Sequence, residues 1–461
     1  MCLLLESKGS GMYGIRYFSI VCVLLSAIGT VSVTCGADTD AEVPDGHSAA
    51  DAIVASIGDI KLRLLLEEVV ERNPSLARLE AVAMAVEQRS PQVKALPDPT
   101  ATLTWFVMPP QTRVGPQRAA LNLTQKIPWF GTLDLDERAA LWDGVTSRAR
   151  LEAAKIRILT AARTDYHELQ FLEVENRVVE EDRATLEHYG ELALARYASG
   201  VGRDQEVIKL QAEITRTEVR LLDLAARRAT VVARLNAMRD RPQRTPIVVA
   251  APDSGSQVLP DLGELKGRAI ANRPEIVAAN AMVEAAATRV EGSKKAYSPH
   301  LVVGLNYGYV SRRDDEAGRL NPPEDNGQDI LGLTGGISIP VWRSSLKAGV
   351  EEGVQNQLAA EEGRRETTAA IDSDLGDLVH RIPLLEQQSR LYDDVLIVQA
   401  SQSLHSAESA YAAGTADALD LLDAERVLLQ VRIAAARVNS DLDVLYARLE
   451  GVIAGPLEVA R

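Results

Sequence analysis

The sequence predicts a mainly α-helical protein that also gives four strands, in two hairpins, to a membrane β-barrel, with the whole unit present twice. Three observations carry this reading. Two heptad seams, from Val207 to Met238 and from Leu421 to Val452, keep the same register at a shift of 214 residues. Each copy also contains stretches that alternate apolar with small or polar residues, beginning after a proline breaker. Long tracts of Ala, Leu, Glu and Arg, with only 4% aromatic residues, favour long helices over one thick core.

Taken in order, the chain opens with an apolar run from Tyr17 to Val33, preceded by Arg16. It reads as a secretory signal over residues 1–37, with Met12 a plausible start. Cleavage after Ala37 would remove all three cysteines, Cys2, Cys22 and Cys35, which suits an oxidising compartment. A lipid anchor on Cys35, behind the poorly matching Ser32-Val33-Thr34, and an uncleaved anchor are the rival readings. No other segment offers the ~20 apolar residues of a spanning helix, so entry into a membrane would use strands. Residues 38–59 read as a loose linker.

The first repeat spans 60–239. A helical pattern runs from near Ile60 to about Ala95, with a break expected at Asn73-Pro74, and Pro97-Asp98-Pro99 ends it. In the hairpin 100–127, Ala101, Leu103, Trp105 and Val107 share one face and Thr102 and Thr104 the other, while Leu121 and Leu123 alternate with Asn122 and Thr124. A long helix from about Leu133 to Arg196 would reach roughly 100 Å. The tip 197–201 and a returning helix follow. Residues 240–262, with Pro242, Pro246, Pro252 and Pro260, form a linker or a small irregular layer beside the helices. The second repeat, 263–455, has Arg273-Pro274 and Ser298-Pro299 as its breakers. Its hairpin is 300–340, its long helix Ser344 to Ala410 and its tip 411–415. Residues 456–461 are a tail.

The aromatic residues argue that the hairpins meet lipid. Trp105, Trp129 and Trp342 lie in or beside them, with Phe130 next to Trp129. Amphipathic aromatics at strand ends are a feature of outer-membrane barrels. The charged loop 310–329 suits an extracellular position, with 109–117 its shorter partner. Four strands cannot close in lipid, so this reading needs an oligomer; a dimer would give eight strands and a trimer twelve.

The second tip, Tyr411-Ala-Ala-Gly414, is followed by Asp417, Asp420 and Asp423, which share a broad helical face off the seam. On spacing alone a solvated face, with acids favoured by the helix dipole, explains them. After Gly200 the equivalents of Asp420 and Asp423 are Glu206 and Lys209, so the paired acids belong to the second tip only.

Composition excludes several functions. A net charge of -15 opposes nucleic-acid binding. The six histidines are scattered, and His300 reads as a barrel-end residue. No zinc-protease, Cys-x-x-Cys, nucleophile-elbow or phosphate-loop motif occurs, so neither catalysis nor a cofactor is expected. A periplasmic coiled-coil scaffold would explain the signal and seams but not two strand hairpins.

The order and spacing of Asn73-Pro74, Leu96-Pro-Asp-Pro99, Gln125-Lys-Ile-Pro-Trp-Phe-Gly131, Arg196-Tyr-Ala-Ser-Gly200, Arg273-Pro-Glu-Ile276, Ser338-Ile-Pro340 and Tyr411-Ala-Ala-Gly414 resemble those of the outer-membrane efflux protein family, the TolC-like channels. The resemblance covers about residues 60–455. It implies a homotrimer with a twelve-stranded barrel in the lipid of a Gram-negative outer membrane and a helical tunnel across the periplasm. It implies as partners a periplasmic adaptor and an inner-membrane pump of the resistance-nodulation-division type, and no catalysis. It maps Tyr197, Gly200, Tyr411 and Gly414 onto adaptor-docking tips. It maps Asp420 and Asp423, with Tyr411 and Asp417 beside them, onto a gated constriction. Around a threefold axis Asp420 and Asp423 would form two stacked carboxylate rings that favour cations. Where some members carry an Arg after the second tip glycine, this chain has Ala416. The proline motifs resemble the heavy-metal cation branch, with drug efflux and type I protein secretion as alternatives.

Overall fold

The computed structural model describes residues 48–252 and 259–457. The expected signal segment, Cys35 and the end of the C-terminal tail lie outside the described residues. The first half runs α1 (Ala49–Ser56), α2 (Ile60–Arg72), α3 (Pro74–Glu87), α4 (Arg89–Lys94), β1 (Thr100–Trp105), β2 (Gln111–Thr112), β3 (Gly115–Ile127), α5 (Thr132–Ala198) and α6 (Asp204–Met238). The second half follows the same plan. It has α7 (Leu262–Asn272), α8 (Pro274–Lys295), β4 (His300–Val310), α9 (Glu316–Leu320), β5 (Ile330–Ser338), α10 (Arg343–Leu391), a π-helical turn (Tyr392–Leu396), α11 (Ile397–Ala412) and α12 (Ala418–Ile453).

Local chemistry sets the helix boundaries. Proline is tolerated in a first helical turn, where its missing N–H is not needed, and Pro74 and Pro274 each occupy that place. The Asn73 carboxamide accepts from the N–H groups of Ser75 and Leu76 at 2.9 and 3.2 Å and donates to the Met238 carbonyl at 3.0 Å. Asp59 caps α2 in the same way, accepting from Lys61 and Leu62.

Three expectations need correction. The segment 38–59 is not all loose linker. Ala50, Ile53 and Val54, at helical spacing in α1, are buried with α2 and α5 in one apolar cluster. The loop 310–329 contains α9, capped by Asp315. The second long helix is not continuous. Its packed positions step by three and four through Ile371, Leu375, Leu378, Ile382, Leu385, Ser389 and Tyr392, then resume at Ile397, Ala400, Leu404, Ala407 and Tyr411. The interval of five falls on the π turn, which absorbs one extra residue and keeps the seam facing its neighbours.

Of the two readings of 240–262, residues up to 252 form an irregular layer. Asn236 donates to the carbonyls of Gln243 and Thr245, Lys61 to that of Val249, and Gln170 to that of Ala250. The Tyr166 hydroxyl donates to Asp59 at 2.6 Å and accepts the Ala250 N–H at 3.0 Å.

The strands form one antiparallel sheet in the order β1-β3-β4-β5, with β2 beside β3. Residues directly opposite one another share a face. Leu103, Leu121, Tyr307 and Leu331 therefore make one row, and Ala101, Leu123, Leu305 and Leu333 the next row on the same face. The reverse face carries Thr102, Asn122, Asn306 and Gly332, then Thr124, Gly304 and Thr334. In the single chain β1 and β5 are open edges.

The helical core is a string of clusters. One surrounds the middle of α5 with α1, α2 and α6; another joins α7, α10 and the end of α12; a third lies at the helical tips. The long helix α5 packs on both α6 and α12, and α11 packs on α12. The corresponding pairing of α11 with α6 is not made to any comparable extent within the chain.

A buried ion pair ties α5 to α12. Arg163 donates to Glu450 at 2.5 Å, with both residues under 10% exposed, and Glu450 also accepts the Leu457 N–H at 3.0 Å. Removing one partner leaves a desolvated charge, so Glu450→Leu should destabilise the helical region by about 3–5 kcal/mol. Arg163→Met together with Glu450→Leu should recover most of that loss. Thermal melting of the helical circular dichroism signal checks both; an unchanged single variant would show that the pair contributes little.

Candidate functional site: two helical tips and an open sheet

Each long helix ends in the same backbone turn. At the first tip the N–H of Gly200 bonds the Tyr197 carbonyl at 3.0 Å, and those of Val201 and Gly202 bond the Arg196 carbonyl at 3.0 Å. At the second, Gly414 bonds Tyr411 at 3.0 Å, while Thr415 and Ala416 bond Ala410 at 2.9 and 3.3 Å. Every donor and acceptor is displaced by the same 214 residues (414 minus 200). Gly200 and Gly414 have φ of 81° and 74°, the left-handed conformation that favours glycine after a helix.

The side chains break this equivalence. Tyr197 is 49% exposed, whereas Tyr411 is 4% exposed, within an apolar cluster that includes Leu186, Tyr189, Leu210, Leu421 and Leu422. The Arg196 guanidinium lies 4.5 Å from the centre of the Tyr411 ring and donates to the Tyr411 carbonyl at 2.7 Å. One cation thus holds both the ring and the backbone of the second tip to the first. Burial pushes the Tyr411 phenol up, against the opposing effect of Arg196. Tyr189 donates to Glu408 at 2.6 Å, a second tie between the hairpins. Between the tips is a cavity of about 710 Å³, lined by His188, Leu192, Arg196, Val201, Tyr411 and Gly414 among others.

The three aspartates have different surroundings. Asp417 is the N-cap of α12, its carboxylate accepting from the N–H groups of Leu419 and Asp420 at 2.9 and 3.2 Å. Its counterpart, Arg203, makes no side-chain cap. Asp420 and Asp423 are exposed and lie off the buried seam. Asp423 approaches Arg426 at 3.6 Å, and Arg426 makes its shorter pair with Glu213 of α6 at 2.6 Å.

At the sheet, Trp105, Phe130 and Trp342 are 68%, 72% and 77% exposed. Trp129 is partly covered and packs edge-on against Phe130 at 5.8 Å. Trp129, Phe130 and Trp342 lie where strands pass into helices. Trp105 lies at the far end, level with Ala119 and Tyr309. From Ile127 to Ala119 the two levels are roughly 27 Å apart along β3 at about 3.4 Å per residue. Beyond the far end the two loops are joined by an Arg113–Asp325 ion pair and by the Gly327 N–H on the Val114 carbonyl.

Arg196 is the tip residue that sequence reasoning missed. It lies within the quoted tip motif, but its counterpart in the second repeat is Ala410, and no spacing rule marks it. Among the described residues no group of three or more His, Cys, Asp or Glu is arranged to hold a metal ion, and no helix is long and apolar enough to cross a membrane.

Comparison with known proteins agrees with this architecture. Residues 265–455 match the family described as outer membrane efflux protein. The chain is 24% identical over 329 residues to the pyoverdine export outer membrane protein OpmQ of Pseudomonas putida, an overlap of 70% of this chain and 67% of that protein. Its fold is similar to that of the outer-membrane channel OprN, with a TM-score of 0.73 and 16% identity over 86% of this chain and 90% of that one. It is also similar to the outer membrane protein VceC of Vibrio cholerae, with a TM-score of 0.70 and 21% identity over 87% and 97% of the two chains.

Replacing Arg196 with Ala removes a cation–π contact and a charged hydrogen bond. Together these are worth about 1–2 kcal/mol, roughly a five- to thirtyfold effect on local opening. Amide exchange over 411–417 should accelerate by about that factor, while Tyr197→Ala leaves it unchanged. Equal effects of the two changes would mean that the tips are held by packing alone.

Proposed function

We propose that this chain, whose residues 265–455 match the outer membrane efflux protein family, is a member of that family and the outer-membrane channel of a tripartite efflux system. The family is one of passive channels of the outer membrane, and the chain is not an enzyme. The observation that carries the proposal is the open sheet. Its apolar face is uncovered, with Leu103, Leu331 and Leu333 71%, 72% and 88% exposed, and the outer edges of its two edge strands are unpaired among the described residues. In lipid such edges must be paired, and closure with other copies is the way to do it.

The helices support a threefold ring. Within one chain α5 packs on α12, and the matching faces of α11 and α6 stay open. Val398 of α11, with Leu391, Val395 and Leu396 in the turns just before it, on one side and Ile208, Val219 and Leu222 of α6 on the other are exposed apolar residues. A neighbouring copy would supply the missing half of each pairing, a head-to-tail contact that closes into a ring. Three copies of a four-stranded sheet then make a twelve-stranded barrel, within the range of bacterial outer-membrane barrels. On this reading the unit arose by duplication, the aromatic levels mark the lipid interfaces, and the tips lie at the periplasmic end. Tyr197, Gly200, Tyr411 and Gly414 form docking turns for a periplasmic adaptor, below a pump in the inner membrane.

The second tip is the gate. Arg196 holds it closed in place of a latch from the Ala416 position, and the exposed Asp420 and Asp423 become carboxylate rings around the axis. Heavy-metal cations or drugs are the cargo, with type I protein secretion the alternative; the name of the Pseudomonas relative adds export of pyoverdine as a further class. Deleting the gene and measuring tolerance to zinc, cobalt, copper and hydrophobic drugs, with pyoverdine release, separates them. Drug sensitivity with unchanged metal tolerance would exclude the metal assignment. A protein found only in the soluble or inner-membrane fraction would exclude the channel. In planar bilayers, Asp420→Ala with Asp423→Ala should raise the concentration of trivalent cation needed for block by about tenfold or more, since six carboxylates around one axis are lost. Unchanged block would put both residues away from the constriction.

A further inference from the structure

One turn of helix away from the tip cluster, two carboxyls face each other inside the packing. Asp182 of α5 and Glu425 of α12 are 5% and 7% exposed and within hydrogen-bonding reach of one another. Leu186, one turn beyond Asp182, and Leu421, one turn before Glu425, both belong to the cluster that buries Tyr411. Glu425 Oε2 is buried without a donor. Asp182 receives only a long contact, 3.5 Å, from the Thr217 hydroxyl of α6.

The groups around this pair do not neutralise it. Arg220 of α6 is engaged by Glu175 at 2.8 Å, Arg426 of α12 by Glu213 at 2.6 Å, and Arg432 of α12 by Glu181 at 3.5 Å. Glu213 of α6 and Glu408 of α11 add further negative charge, and Tyr189 of α5 is spent on Glu408. Among the described residues neither Asp182 nor Glu425 is within ion-pairing distance of a cation. Two desolvated carboxylates in contact cannot both ionise without strong repulsion. One shared proton turns the repulsion into a hydrogen bond between α5 and α12.

We propose that Asp182 and Glu425 are positioning residues of the gate: they share one proton that holds α12 against α5, and its loss loosens the second tip. The proposal rests on the reading of the second tip as a gate. Burial, then the charge of Asp182, pushes the Glu425 carboxyl up to about 7, and burial raises Asp182 as well. The two titrate as one unit. Because the packed-state value is raised, the clamp is fully present at acidic pH and is lost as pH rises through about 7. Between the ordinary carboxyl range and about 7 the ratio of closed to open falls by up to about tenfold per pH unit for one proton, and it levels off above about 7. The 214-residue shift places Leu396 and Gln211 at the corresponding positions, so the clamp belongs to one of the two kinds of hairpin contact.

The test uses the full-length trimer in planar bilayers between about pH 5.5 and about pH 8.5. The wild-type current should rise severalfold as pH climbs to about 7 and level off above it. Glu425→Gln and Asp182→Asn, which keep a donor at the site without a titratable pair, should hold the low-pH current throughout. A flat wild-type profile, or a step that survives both substitutions, would overturn the clamp. Histidine is the side-chain type whose charge ordinarily changes in this range, so a variant with His188→Gln and His405→Gln must keep the step. So must one with Asp420→Asn and Asp423→Asn. A step lost in either of these instead would overturn the clamp and leave the gate reading intact. Large currents at every pH would overturn the gate reading itself. If a pair variant fails to trimerise, amide exchange of residues 411–425 in the wild type decides. Once corrected for intrinsic rate, it should quicken as pH rises to about 7, and no change would reject the clamp.

Discussion

The outer edges of β1 and β5 have no backbone partner among the described residues, and the rest of the molecule is consistent with that constraint. An exposed edge in water invites pairing with another chain; in lipid the pairing is obligatory. The same incompleteness recurs in the helices, where α5 meets α12 but α11 and α6 lack the corresponding contact. On the proposed reading, sheet and helices are unfinished in the same sense: each lacks what a second copy would provide. A single rotation that satisfies the strands can also satisfy the helices, because α5 and α10 follow β3 and β5 after only a few residues. Assembly in the membrane and assembly of the tunnel are then one geometric problem.

The two tips show how equal backbones come to do unequal work. Their turns share the same backbone hydrogen bonds, so the glycines and chain direction account for their shape and nothing about their difference. The difference lies in side chains. Arg196 against Ala410, Asp417 against Arg203, and Asp423 against Lys209 all distinguish one tip from the other. The result is one tip with an exposed tyrosine and another whose tyrosine is buried under the first tip's arginine. A pairwise hold of this kind is weak enough to be released by a partner that competes for the same surface. A fully packed seam such as Leu224 to Leu235 would resist the same displacement.

Most of the architecture could be read in the sequence because its signals are periodic. Heptads from Val207 to Met238 and alternation from Leu301 to Tyr309 report repeated burial, and repetition averages out individual exceptions. The turns were legible because φ near +80° selects glycine at two matching places. What stayed hidden depends on single residues or on contacts far apart in sequence. The helix Ala49–Ser56 is too short for its pattern to stand out from a linker. The π turn is a change of phase by one residue, visible only when the buried positions are known. Arg196 meets Tyr411 across 215 residues and Asp182 faces Glu425 across 243 (425 minus 182), and no local spacing encodes either encounter.

The acids near the second tip separate into two physical classes, and the distinction bears on what each can do. Asp420 and Asp423 are in water, so their fields are screened over about 8 Å at physiological ionic strength and act on whatever ion passes close by. Asp182 and Glu425 are screened by little, because protein surrounds them on all sides. Their charge acts on the helices that carry them and hardly on the solvent. If the second tip is the gate, salt should therefore weaken the influence of the first pair on permeating ions far more than it weakens the influence of the second pair on helix position. A channel whose cation preference fades with ionic strength while its pH response persists would have its filter and its hinge in these two different places.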